Sequence, residues 1–301
     1  MILEDLFTNV AIFRSYTPFL DSNVTFQELE SSARSARKQI CVIITSEVYD
    51  AIVKAANGEV FESLRTAMAN LVLAKQVVFD AINRRKQEVD VYKHEQEAMR
   101  RSYTENYYNA MDSLIQDLDA QLGKDLENDL ENPYKSWHQT RYYKLLAGLR
   151  IKTASDFDTL YPIDSSYLFF FRIIPFQQEA MDDYMASYYE RVENVPEGEQ
   201  VDESLIRRLD RALAMFTVAK SLRQFDIIEF PPTIRSLFDD SKANRTGQHE
   251  QDHIFYMSED LQNQAQTLLQ SVDAVLTSNE DGTVSTEESF SQPNDKFYFM
   301  P

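Results

Sequence analysis

Leu64-Arg65-Thr66-Ala67-Met68-Ala69-Asn70-Leu71-Val72-Leu73-Ala74-Lys75 decides the fold. Its apolar side chains return every three or four residues, the period of one helix face. Ala67, Ala69 and Ala74 are small enough to let a neighbouring helix approach closely. A second stretch, Leu209-Asp210-Arg211-Ala212-Leu213-Ala214-Met215-Phe216-Thr217-Val218-Ala219-Lys220, aligns with the first without gaps, 145 residues further on. More matches follow in the same order. Tyr16-Thr17-Pro18 answers to Tyr161-Pro162, and residues 110–122 answer to 265–276, with Asp119-Ala120 matching Asp273-Ala274. His94-Glu95-Gln96-Glu97 answers to His249-Glu250-Gln251-Asp252. Any two striped helices align somewhere, but four colinear matches point to a duplicated helical unit.

Working outward, most of the chain reads as helix. Asn23 or Thr25 caps a helix reaching about Ala56, with Asn57-Gly58 as its stop. The next begins near Glu59 and carries Leu64, Ala67, Met68, Leu71, Val78, Phe79 and Ile82 as one apolar stripe. A third, over 96–122, carries Tyr103, Tyr107, Met111, Leu114, Leu118 and Leu122. Residues 84–97 either continue the helix or make an exposed bend, and 123–133 is an acidic loop. The pattern then predicts a short helix over 134–149, a turn of helix capped by Ser155 or Asp156, and a helix over 166–192 perturbed at Pro175. Residues 194–198 form the clearest break. Further helices are expected over 205–225, 233–240 and from Leu261 to Val275, with a polar loop over 239–252. The expected architecture is all-α: a duplicated helical-bundle repeat with long helices, short loops and an extended C-terminal tail. The first repeat spans 1–150, the second 151–278, and the turn-rich tail 279–301.

Composition agrees with long helices. Only 6 Gly occur in 301 residues, too few for folds that need glycine at tight turns and phosphate loops. Hydrophobic residues make up 43% and aromatics 12%, enough to bury a sizeable core. Net charge is -19: residues 1–150 carry -4 and the remainder -15, so a broad basic face for nucleic acid is not expected. Cys41 is the sole cysteine, which excludes an internal disulfide framework and fits a reducing compartment. It lies in Ile40-Cys41-Val42-Ile43-Ile44 and reads as a small buried hydrophobe. The acidic start, Met1-Ile2-Leu3-Glu4-Asp5, lacks the basic flank of a signal peptide. The most apolar run, 167–176, is too short to span a bilayer.

Few residues carry recognisable chemistry. His249-Glu250-Gln251-Asp252-His253 matches the H-E-x-x-H pattern, in which two imidazoles on one helix face hold zinc beside a glutamate base. Asp252 puts a charge inside the motif, a polar loop precedes it, and no third ligand is evident. A solvated helix start accounts for these residues better. Gly282, Val284 and Glu288 echo a calcium loop, but Thr277 stands where its first carboxylate belongs; a turn at Asp281-Gly282 is more economical. Arg84-Arg85-Lys86 and Arg100-Arg101 are the densest basic clusters, flanked by acids, and read as solvated helix faces. No catalytic, cofactor or metal site is therefore expected. The closing Phe297, Tyr298, Phe299 and Met300 are apolar side chains that must be buried somewhere, either on their own domain or on another subunit. They are the candidate subunit-interaction tail.

Several residues carry a family resemblance. Phe13, Tyr16, Thr25-Phe26, Leu29, Tyr49 and Ile52 resemble the opening of an uncharacterised domain family found in phages and prophages of Bacteroides-type bacteria. Asp156-Phe157, Tyr161, Ile173-Ile174-Pro175-Phe176 and Glu179-Ala180 are similar to that family's second copy, and Asn294-Asp295-Lys296-Phe297 to its ending. The resemblance implies a virion structural protein akin to the all-helical head–tail connectors of tailed phages. It would be made in the host cytoplasm and placed at the portal vertex. Such proteins form rings, commonly twelve-fold, between portal and tail, and DNA passes through the channel without specific binding. The acidic loop at 123–133 and the charged second helix depart from the pattern. An alternative of another class is a soluble acidic helical binding module, a regulator or antitoxin-like partner of a basic protein.

Overall fold

Thr25 opens the first long helix through a capping box, its amide donating to the Glu28 carboxylate at 3.0 Å. The structure is a computed structural model that describes residues 1–17, 24–86, 93–120, 132–194, 202–226, 229–239 and 247–281. Every element among them is helical. In chain order they are α1 (Val10–Ser15), α2 (Phe26–Ala55), α3 (Gly58–Lys86), α4 (Lys93–Ala120), α5 (Pro133–His138) and α6 (Arg141–Leu146). Then come α7 (Ala154–Leu160), α8 (Tyr167–Ala180), a π turn (Met181–Met185), α9 (Ala186–Glu193), α10 (Glu203–Leu222), α11 (Pro232–Asp239) and α12 (Gly247–Asp281).

Small buried residues line the two most extensively packed helices of each half. Ala67, Ala69 and Ala74 are buried on α3, which packs along α4 and on α2. Ala212, Ala214 and Ala219 are buried on α10, which packs along α12 and on α8. Side chains this short bring helix axes close enough for the long hairpins to pack tightly. α2 lies on α3 and α8 lies on α10, so both halves use the same order of neighbours. His94 and His249 each fall in the first turn of the closing helix, α4 and α12. The halves meet where α4 packs on α8, and their buried side chains form one continuous cluster. Fully enclosed Phe7, Phe13, Trp137, Phe157 and Phe216 belong to it, each stabilising the fold by roughly 1.5–3 kcal/mol through burial.

Several expectations are corrected. α2 is not straight: Thr45, at φ 72 and ψ 161, turns the chain sharply. Arg37 and Asp50 form an ion pair across the bend at 2.8 Å. In an unbroken helix these residues would stand about 20 Å apart along the axis. The helix expected over 134–149 is two short ones, because Thr140 restarts the chain by capping Tyr143 at 3.2 Å. Thr153, not Ser155 or Asp156, caps α7. Pro175 sits exposed inside a continuous α8, and the perturbation comes later, at the π turn. There Lys220 of α10 holds Glu179 at 2.9 Å and Asp183 at 2.8 Å, while Tyr184 stacks on Phe216 at 4.5 Å. Those three contacts across to α10 draw the wider turn inward.

α12 starts fourteen residues before Leu261, within the expected loop. α1, capped by Asn9 on the Ile12 amide at 2.9 Å, was not expected because it is only 6 residues long. Phe79, assigned to the buried stripe of α3, is 49% exposed, and Cys41 is only half-buried. The side chains of Val78 and Ile82, assigned to the same stripe, lie outside the described ones.

Candidate functional site

The clearest constellation of polar groups lies at the joint between the halves. α4 presents Glu105, Asn109 and Asp112 to a cavity of about 120 Å³. Asp112 accepts from the Leu168 amide at 2.7 Å and the Ser166 hydroxyl at 2.9 Å, so a side chain of one half caps α8 of the other. Burial raises the Asp112 carboxyl above its ordinary range, and the two hydrogen bonds oppose that rise. Asp164 repeats the device on α11, accepting from the Thr233 amide at 2.7 Å and from the Thr233 hydroxyl. Its loop is set by Asp158, which accepts from the Ile163 amide at 2.7 Å and the Ser165 amide at 3.0 Å. That bracing supports the left-handed backbone at Asp164 and Ser165, with φ 55 and 50. Arg235 closes the cavity edge on Glu105 at 3.3 Å. Carboxylates at helix N-termini accept orphan amides and oppose the helix dipole. The chemistry of this joint is fastening.

A second cleft, about 490 Å³, runs along α4 between Tyr16, Glu62, Asn70 and Asn106. Buried Asn70 donates to the Tyr16 and Thr66 carbonyls at 3.1 and 2.9 Å and accepts from Asn106 at 3.3 Å. Tyr16 donates its hydroxyl to Glu62. The Arg65 guanidinium lies 4.8–5.3 Å from the ring centres of Tyr16, Phe7 and Phe61. This cluster ties the N-terminal segment to α3.

A third group surrounds Trp137, whose indole N–H donates to Asp119 at 3.3 Å and whose ring meets Phe171 at 5.1 Å. His138 packs on Tyr143 at 4.5 Å. Burial lowers the His138 pKa, and the Asp119 charge opposes that shift. Burial in turn raises the Asp119 carboxyl.

The residues singled out in the sequence fall elsewhere. His249 and His253 share the N-terminal part of α12, and the His253 side chain is exposed. Among the described residues no three His, Cys, Asp or Glu side chains gather as a metal site would require. Phe297, Tyr298, Phe299 and Met300 lie outside the described residues, as do Gly282, Val284 and Glu288. Arg100 and Arg101 are exposed on α4. No described helix is long and apolar enough to cross a membrane.

Sequence reasoning missed Asp112, Asp164 and Lys220, because capping or clamping from a distant helix leaves no local pattern. It also missed the large apolar side chains left exposed on the hairpins: Phe79 (49%) and Met99 (44%) on the first, Phe255 (52%) and Tyr256 (68%) on the second. Comparison with known protein families, with curated proteins and with solved structures finds no match.

Proposed function

We propose that this chain is a structural building block that assembles with copies of itself, and that its place is a ring at the head–tail junction of a tailed phage. The exposed Phe79, Met99, Phe255 and Tyr256 carry the assembly part of this reading. Large apolar groups exposed on the rigid helices of a well-packed fold are what protein–protein contacts use. Fastened clefts add support, since their carboxylates and amides hold helices together. The phage assignment rests on the sequence resemblance, with ring and portal as what it implies. In such a ring the acidic second half, turned to the channel, would let DNA slide past without sticking.

Duplication is part of the proposal. The colinear sequence matches and the shared order of helix neighbours support it, and one ancestral helical unit used twice is a natural source of repeated contact surfaces. A second reading, an acidic module binding a basic protein, is favoured by α12, which contains no Lys or Arg.

The test is electron cryo-microscopy and mass spectrometry of particles from cells carrying the surrounding genes. The chain in a ring at the portal vertex is the expected result. Its absence from otherwise complete particles would leave the soluble module as the better reading.

A further inference from the structure

The larger cleft along α4 is half fastened and half free. Its floor is closed: Asn70 is buried, and its carboxamide already bonds to the Tyr16 and Thr66 carbonyls and to Asn106. The one charged side chain in its lining, Glu62, is engaged as well. It accepts from the Tyr16 hydroxyl and pairs with Arg65 at 3.0 Å, while the Arg65 guanidinium is occupied with three aromatic rings.

The walls keep unused hydrogen-bonding groups. Ser63 lines the α3 wall, and among the described residues its hydroxyl has no partner. Asn106 on α4 spends one N–H on Asn70 at 3.3 Å and retains its carbonyl and second N–H. The Thr66 and Ser113 hydroxyls donate to the Glu62 and Asn109 carbonyls, at 2.9 and 3.2 Å, and each keeps its lone pairs. Residues 63, 66 and 70 return to one face of α3, and 106, 109 and 113 to one face of α4, so two polar rows border the same space. Asn109 also borders the cavity at the joint.

This lining selects by chemistry. An anion finds no free cation in it, and a metal ion finds only a carboxylate that is already paired. An apolar ligand meets little besides Ala110 and the Tyr16 ring. A volume of about 490 Å³ lies in the range of small-molecule sites. The remaining class is a neutral ligand that gives and takes hydrogen bonds at many points.

We infer that the cleft binds a neutral carbohydrate. Ser63 and the Asn106 carboxamide pair with ring hydroxyls, each able to donate and accept, and Thr66 and Ser113 accept from others. The groups stand on helices that are packed before the ligand arrives, so little ordering opposes binding. A few ordinary hydrogen bonds without much apolar burial correspond to a dissociation constant on the order of 1 mM. The site is complete in a single chain and needs no second copy.

Saturation-transfer NMR on the full chain tests this. The probes are maltose, lactose and diacetylchitobiose at millimolar concentration, beside a neutral tetrapeptide of glycine, serine and asparagine. Transfer to at least one sugar is expected. Ser113→Tyr adds a bulky side chain at an exposed position of the wall and is expected to weaken that sugar's binding roughly fivefold or more. Unchanged circular dichroism and melting temperature would show that this variant folds. Asn106→Leu removes the free polar pair and is expected to act in the same direction; if it unfolds, Ser113→Tyr decides. No transfer to any of the three sugars would overturn the inference. Sugar binding that survives Ser113→Tyr unchanged would also overturn it, because the ligand would then lie elsewhere. Transfer to the tetrapeptide equal to that of the sugars would assign the cleft to a protein segment instead.

Discussion

Thr45 shows how one residue shapes the molecule. Its φ of 72 with ψ of 161 is a conformation open to glycine and costly for a β-branched side chain, on the order of 1–3 kcal/mol. Packing and the Arg37–Asp50 pair hold it there. Thr45→Gly is therefore expected to raise stability by about 1 kcal/mol after glycine's own entropy cost, read as a higher urea midpoint. In a straight helix the same change would lower it, so the sign reports the bend. His138 makes a pH prediction. Its folded pKa lies below the unfolded value of about 6.5 because burial disfavours the charged ring. The unfolded chain thus binds more protons in the window just below pH 6.5, and stability falls as pH drops through it. His138→Gln should flatten this part of the stability–pH profile between pH 7.5 and 5.5. An unchanged profile would assign the slope to other groups.

At the scale of elements, the π turn depends on one cation. Lys220 is largely buried, yet Glu179 and Asp183 remain about half exposed, so solvent screening limits the pair energies. Lys220→Met is expected to cost about 1 kcal/mol and to narrow the penalty between low and high salt, measured by chemical unfolding at two ionic strengths. Periodicity and caps made the long helices legible: Leu64, Ala67, Met68 and Leu71 on α3 and Leu205, Leu209, Ala212 and Leu213 on α10 are buried as their spacing predicts. Thr25, one of two caps the sequence offered for α2, is the one used. The bend at Thr45 was not legible, because it is imposed by packing against residues far along the chain and breaks local preference. Phe79 marks another limit. Helical spacing places it on the apolar face of α3, yet its ring is 49% exposed. The joint was opaque for a similar reason: Asp112 on α4 is one acid among many until Leu168 and Ser166 are seen against it.

For the whole molecule, the joint decides whether the halves behave as one body. Asp112→Ala removes the acceptor of the Leu168 amide and the Ser166 hydroxyl and is expected to cost about 2 kcal/mol. Because buried side chains of both halves form one cluster, amide exchange should quicken together in α3–α4 and α10–α12. Faster exchange confined to residues after 150 would instead mean independent halves. The composition of α12 also has an analytical consequence. Trypsin cleaves after Lys and Arg, and α12 offers neither. The nearest sites are Arg245 and Lys296, so complete digestion releases residues 246–296 as a single 51-residue peptide, long for routine sequencing. Following α12 itself in purified particles therefore calls for a glutamate-specific protease, which would cut it after Glu250, Glu259 and Glu280.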